Sequence, residues 1–350
     1  MSDFHQLVVK DITRETSKAV SIAFEIPDSL QKEFRFIAGQ YITIKTKIEG
    51  KEIRRAYSIC SAPESGSLRV AVKEVENGIF SRFANTSLKE GDTLEVHPPE
   101  GKFLLKTHPE ARKNYMAFAA GSGITPIVSM IKSVLQQEPE SKFILLYGNQ
   151  QLTETIFAKE LLSLMQKYPD RLFIEFFYSR KEEENSNFGR IEKSTINYLI
   201  KNKFKDVSFD SYYICGPEAM IQTITDVLVE KGISKEVIHF ELFTSSTEQV
   251  EVQASLDGKT KIHIVVDDEA FEFVMDQKKT VLDAALDEDI DAPYSCQGGI
   301  CSSCVCRVTE GSAVMDKNSI LTDGEIADGL VLACQAHPTS AVLKIDFDDV

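Results

Sequence analysis

Four cysteines near the end of this chain constrain it most. Cys296-Gln297-Gly298-Gly299-Ile300-Cys301-Ser302-Ser303-Cys304 places three thiols in C-x4-C-x2-C spacing, and Cys334 follows after a long gap. This is the ligand spacing of plant-type [2Fe-2S] centres. A loop that wraps a cluster must turn its N–H groups toward the sulfurs. Gly298 and Gly299 supply the backbone freedom this needs, and Ser302 and Ser303 are small for the same reason. A four-cysteine zinc site pairs two C-x2-C knuckles, and the second is missing here. Disulfides suit a secreted chain, and the opening Met1-Ser2-Asp3-Phe4-His5 lacks a charged-then-apolar leader. Cys296, Cys301, Cys304 and Cys334 are therefore the expected metal ligands. Cys306 is left out: extended backbone would put it on the same side as Cys304, but the spacing is complete without it.

The segment from Tyr294 to Gln335, with its Leu332-Ala333-Cys334-Gln335 ending, resembles the core of a plant-type ferredoxin domain. Such a domain fills about the last quarter of the chain, and 350 residues call for two or three domains. The rest is then expected to feed the cluster electrons. From Asp257 onward 19 acidic residues face 7 basic ones, a net of −12 against −15 for the whole chain. That balance argues against nucleic acid and fits either solubility or steering of a basic partner. No apolar run reaches membrane-spanning length, and free thiols suit the cytoplasm.

Residues 1–107 read as an antiparallel β-barrel. The apolar runs Leu7 to Val9, Val20 to Ile26, Tyr41 to Ile44, Leu68 to Val72 and Leu94 to Val96 are short, and turn residues separate them. Within it Arg55-Ala56-Tyr57-Ser58 puts a cation and an aromatic on one strand face. The segment from Lys73 to Ser81 ends a strand at Asn77-Gly78, and Ser81 is expected to open a helix through Leu88. Each feature alone is ordinary: a sheet surface, a turn and a cap.

From about Asn114 strands alternate with helices, so residues 108–243 are expected to form an α/β domain with a parallel sheet. Tyr115 to Ala120 is a buried strand that stops at Gly121-Ser122-Gly123-Ile124-Thr125-Pro126, with Thr125 expected to cap the next helix and Pro126 to occupy its first position. Further strands end at Gly148-Asn149, Ser179-Arg180 and Cys215-Gly216-Pro217, and Val237 to Phe243 is expected to close the sheet. All these ends fall on the sheet edge where α/β folds bind ligands. Residues 244–258, rich in Ser, Thr and Glu, read as a linker. Residues 259–350 follow as a β-grasp-like α+β ferredoxin domain, in which Thr280 caps a helix through Leu286.

Taken in order, these motifs resemble the ferredoxin–NADP reductase superfamily joined to a C-terminal plant-type ferredoxin domain. The resemblance implies FAD on Arg55, Tyr57 and Ser58, with its pyrophosphate at Gly78, Ile79, Phe80 and Ser81. It implies a nicotinamide nucleotide at Gly121, Gly123, Thr125 and Gly216, with Cys215 facing the nicotinamide. Ser58, Thr125 and Cys215 are then the residues beside the hydride transfer. Ser179 and Arg180 match the position that holds the 2′-phosphate in NADPH-using members, with Arg190 as an expected assisting cation, although Glu182, Glu183 and Glu184 follow closely, so NADH remains an alternative. Glu241 matches a carboxylate near the flavin in some members, but a solvated edge-strand carboxylate is an equal reading. Pro99 to Phe103, Ala120 to Pro126 and Cys334 to Pro338 extend the likeness to the phenylacetyl-CoA epoxidase reductases. The implied role is an NAD(P)H-dependent reductase for an oxygenase component. Reductases of ring-hydroxylating or steroid oxygenases are the alternative within the class, and a fused ferredoxin carrier without turnover is the alternative outside it.

Overall fold

The structure is a computed structural model that describes residues 4–243 and 258–350. The expected linker, 244–258, lies outside the described residues except for Gly258. The chain divides into two compact units. One holds residues 4–53 and 57–243; the other holds 258–350 with 54–56.

The larger unit opens with β1 (His5–Thr16), β2 (Ala19–Glu25), β3 (Tyr41–Ile48), β4 (Lys51–Ser58), β5 (Leu68–Lys73), α1 (Ile79–Thr86) and β6 (Thr93–Val96). These strands form one sheet in the order β4-β3-β6-β1-β2-β5. Its two outer strands meet where Ile59, just past β4, bridges Val70 of β5 in antiparallel sense. The Cys60 N–H then donates to Arg69 O at 2.8 Å. This contact closes the expected barrel around Leu7, Ile22, Ile42, Ile44, Val70 and Val96. The helix expected from Ser81 begins two residues earlier, with Gly78 as its N-cap. The reason is local: Ser81 Oγ turns back to accept from the Val75 N–H at 3.2 Å, so the serine braces the turn from inside the helix.

The same unit continues with β7 (Asn114–Ala120), α2 (Ile124–Gln137), β8 (Lys142–Asn149), α3 (Ala158–Lys167), β9 (Leu172–Tyr178), β10 (Asn187–Phe188), α4 (Lys193–Tyr198), β11 (Ser211–Cys215), α5 (Glu218–Glu230) and β12 (Ile238–Glu241). All pair in parallel, in the order β10-β9-β8-β7-β11-β12. The chain runs outward from β7 through β8 and β9, then returns to lay β11 on the other side of β7. The switch point therefore lies between β7 and β11, and ligands of such sheets sit beyond the strand ends there. The barrel and this sheet share a core: Ala38, Cys60, Phe103 and Leu105 pack with Tyr115, Ile127, Met130 and Tyr213. Ser129 Oγ donates to Ser61 O at 2.6 Å and Lys132 Nζ to Cys60 O at 2.9 Å, which pins the barrel against α2. The first sheet ends at Val96 and the second begins at Asn114, on either side of the expected boundary at 107.

The smaller unit contains β13 (Lys259–Val266), β14 (Glu269–Asp276), α6 (Val281–Asp287), β15 (Val305–Glu310), β16 (Ala313–Met315), α7 (Asp323–Ala327), β17 (Leu330–Leu332), β18 (Ala336–Pro338) and β19 (Val342–Asp346). Five strands form a mixed sheet in the order β14-β13-β19-β15-β17, and β16 pairs β18 separately. Only β13 and β19 run parallel, which gives the β-grasp arrangement. Thr280 caps α6 as its sequence indicated, with Oγ1 accepting from the Asp283 N–H at 3.1 Å.

Candidate functional site

The cysteine loop lies between α6 and β15. Cys301, Cys304 and Cys334 are buried and Cys296 is half-buried. No group of three or more His, Cys, Asp or Glu side chains among the described residues gathers closely enough for a single ion. The thiols stand in a row instead: Cys301 lies against Cys296, Cys296 against Cys334, and Cys334 against Cys304. Two thiols for each of two irons is the donor set of a binuclear cluster. The loop is shaped for it. Gln297 and Gly299 adopt φ of 53° and 70°, and the Gly298 N–H donates to Cys296 Sγ at 3.3 Å. Ser295 Oγ, beside Cys296, is buried without a hydrogen-bond partner. Cys306 belongs elsewhere: it is fully buried in the core, with its thiol on Val331 O at 3.7 Å. Its place in β15, one strand residue past the turn that holds Cys304, separates the two sulfurs.

On the barrel, β4 carries Arg55 exposed, Tyr57 half-buried and Ser58 buried. The Tyr57 ring rests on Phe80 with centroids 5.4 Å apart, which links the strand to the first turn of α1. No side chain caps that turn, so the N–H groups of Ile79 and Phe80 are open to a pyrophosphate. A Cβ on Gly78 would stand 2.2 Å from Ser81 Oγ and 2.6 Å from Val75 Cγ2, so any other residue there would have to push both side chains aside.

Across from it lies the switch point. Residues 121–123 form a 3-10 turn that runs straight into α2. Thr125 is consequently not the cap. It is the second helical residue, buried, with Oγ1 donating to Ser122 O at 3.0 Å, and Pro126 is the third. The Ile124 N–H bonds back to Gly121 O and Ser122 O, and this continuity replaces a side-chain cap. Gly123 packs on the end of β11: a Cβ there would stand 2.1 Å from Cys215 O and 3.0 Å from Gly216 N. Gly121, with φ of +55°, faces Lys73, whose Nζ stands 3.6 Å from where its Cβ would lie. Sequence reading did not single out this lysine, because β5 and β7 are distant in the chain.

Glu241 ends β12, in register with Cys215 of β11. It is not a solvated edge carboxylate. Ser58 Oγ donates to its Oε2 at 3.1 Å, across 183 residues of sequence. Although part of the residue is exposed, its carboxyl is enclosed by protein, and that burial pushes it up to about 8 against the partial relief from Ser58. Burial, with Glu241 beside it, also pushes the Cys215 thiol well above its ordinary range, so the thiol stays neutral. Barrel, β7 turn, β11 and β12 thus meet at Ser58, Gly123, Cys215 and Glu241.

Ser179 and Arg180 follow β9, tied down by N–H bonds to Asn149 O and Gln150 O at 3.0 Å each. Arg180 and Arg190 are exposed. Of the neighbouring carboxylates, Glu183 pairs with Lys181 at 3.2 Å, while Glu182 and Glu184 are exposed.

Three family profiles match this chain. Residues 6–104 match an oxidoreductase FAD-binding domain, 118–226 an oxidoreductase NAD-binding domain and 264–339 a 2Fe-2S iron-sulfur cluster binding domain. The chain is 38% identical over 352 residues to a component of the 1,2-phenylacetyl-CoA epoxidase of Escherichia coli (strain K12), covering 99% of each chain. It is 32% identical to the ferredoxin reductase component of 3-ketosteroid-9-alpha-monooxygenase from Rhodococcus rhodochrous, covering 97% of this chain and 96% of that one. The fold matches solved phthalate dioxygenase reductase, with a TM-score of 0.62 at 22% identity over 99% of this chain and 98% of the other.

Proposed function

The chain belongs to the family of FAD- and [2Fe-2S]-containing reductases that serve multicomponent oxygenases, and from that premise we propose that it takes electrons from NADPH in preference to NADH and delivers them to a phenylacetyl-CoA epoxidase in the cytoplasm. When bound, the nicotinamide supplies a hydride, the flavin divides the electron pair, and the cluster passes single electrons on. The chain's residues position these groups. Arg55 and the N–H groups of Ile79 and Phe80 hold the flavin phosphates, and Tyr57, braced by Phe80, packs on its ring. Gly121, Gly123 and Gly216 let a nucleotide approach the backbone at the switch point. Cys215, kept neutral by burial, offers a small soft surface against the nicotinamide. Ser58 and Glu241 hold a proton beside the flavin site: Ser58 Oγ–H donates to Oε2, which leaves the acidic proton on Oε1. The observation that carries this reading is the Ser58–Glu241 hydrogen bond next to Cys215, since it joins barrel and nucleotide sheet at the one place where hydride transfer needs both.

Anaerobic titration with NADPH, then NADH, followed by visible absorption tests the reading. Bleaching of both flavin and iron–sulfur bands, with NADPH the better reductant, is the expected result; intact bands with either nucleotide would overturn it. Electron delivery to purified phenylacetyl-CoA epoxidase, compared with a steroid monooxygenase oxygenase, tests the partner.

Two variants sharpen the assignment. Arg180→Ala is expected to raise the KM for NADPH about 10- to 100-fold, the loss of one charge-assisted hydrogen bond, and to leave the KM for NADH in place. Equal effects on both would remove Arg180 from the 2′-phosphate site. For Glu241→Gln, the rate of flavin reduction should lose a pH break near 8 that the native protein shows. The fold opposes ionisation of this carboxyl, so the stability it contributes is full below about pH 4.5 and declines as pH rises to about 8. Unfolding of the glutamine variant should lack that decline; an unchanged profile in both measurements would show that Glu241 does not hold the proton.

A further inference from the structure

Three residues beyond Cys334, His337 lies buried at the centre of β18. Its Nδ1 stands 3.2 Å from Gln277 O and its Nε2 3.1 Å from Asp316 Oδ2. Gln277 is itself anchored: its N–H donates to Gly258 O at 2.9 Å and its amide to Thr260 Oγ1 at 3.0 Å. A carbonyl only accepts, so the Nδ1–H is the donor to Gln277.

On the other side, Asp316 opens a short segment that backs the cysteine loop. The Asp316 N–H donates to Gln335 O at 3.0 Å and the Ser319 N–H to Gly299 O at 3.1 Å. Lys317 O lies 2.8 Å from where a Cβ on Gly299 would stand. Gln335 in turn donates from Nε2 to Gln297 O at 3.2 Å and to Cys334 Sγ at 3.7 Å. Residues 316–319 therefore touch both halves of the ligand set: the loop with Cys296, Cys301 and Cys304, and the turn with Cys334. The second carboxylate oxygen of Asp316, Oδ1, is buried with no hydrogen-bond partner. His337 is thus the side chain that holds this part-buried carboxylate, and removing it would leave Oδ2 without this partner and free the segment to shift.

We propose that His337, acting through Asp316, is a positioning residue for the iron–sulfur cluster, fixing residues 316–319 so that the ligand loop and the Cys334 turn keep their mutual spacing. The proposal rests on the reading of the four cysteines as cluster ligands. The test uses the full-length holoprotein and measures release of iron to a chelator together with the EPR signal of the reduced cluster. In His337→Leu, release is expected to be ~10-fold faster or more, the range seen when a partner behind a metal ligand is removed, with a broadened signal. The flavin band should still bleach with NADPH. Asp316→Asn is expected to match the native protein in both readouts, because an amide can donate to Nε2 while carrying no charge, whereas Asp316→Ala should behave like His337→Leu. This asparagine–alanine pair decides the matter if the leucine variant does not fold. Native release and native spectra in both Asp316→Ala and His337→Leu would overturn the proposal alone. A native protein with no iron–sulfur absorption would overturn the ligand reading, and this proposal with it.

Discussion

Replacing Cys301 with alanine is expected to abolish reduction of cytochrome c by NADPH, down to the background of the flavin alone, while bleaching of the flavin band by NADPH persists. Cys301 is 5% exposed and lies against Cys296. Alanine leaves the set of four thiols one short. Cys306 cannot substitute, because its thiol is fixed on Val331 O inside β15. The larger unit, with its own cores, contains every residue assigned to nucleotide and flavin except Arg55, so its chemistry should survive. Metal binding to such sites stabilises their folded state, so the C-terminal unit should also melt earlier. Stopped-flow absorption at flavin and cluster wavelengths separates the two events. Loss of flavin reduction together with cytochrome c reduction would contradict the assignment of separate sites.

Gly123→Ala should be among the most damaging single-methyl changes in the larger unit. The φ of Gly123 is −61°, which alanine adopts without strain, so space alone decides. The added Cβ would lie 2.1 Å from Cys215 O and 2.5 Å from Cys215 C, and both are backbone atoms of a central strand. Cys215 pairs in register with Ala119 on one side and Glu241 on the other, so β11 cannot retreat without breaking its ladders. The cost should reach or exceed ~3 kcal/mol, the upper end for ordinary overpacking. Nucleotide affinity should fall with it, as the β7 and β11 turns part. Urea unfolding and equilibrium binding of NADP+ measure the two effects; native values in both would mean that the turns do not meet as described.

Much of this protein is local in origin and was legible before folding. Cysteine spacing, the Thr280 cap and the buried run Tyr115 to Ala120 depend on neighbours within a few residues, and each appears in the structure where the sequence indicates. Strand β11 likewise ends at Cys215, just before Gly216-Pro217, as its sequence indicates. The departures share one cause. At Ser81 and Thr125 the hydroxyls, which look like caps, bond to the backbone of the preceding turn instead, because a glycine lets the helix start earlier than the cap pattern implies. The short β10 and α4 carry too little periodicity to stand out.

By itself, the sequence determined the order of modules, the spacing of the four cysteines and the residue types at each strand end. Tertiary structure alone decided which of those residues act together. Glu241 meets Cys215 and Ser58 only because β12 pairs with β11 and Ser58 arrives from the barrel. Gly123 becomes indispensable only because β11 ends against it. His337 acquires Asp316 only through the pairing of β16 with β18. The physical reason is the same in each case. A titratable or small residue is defined by what surrounds it, and here those surroundings are assembled from segments far apart in the chain.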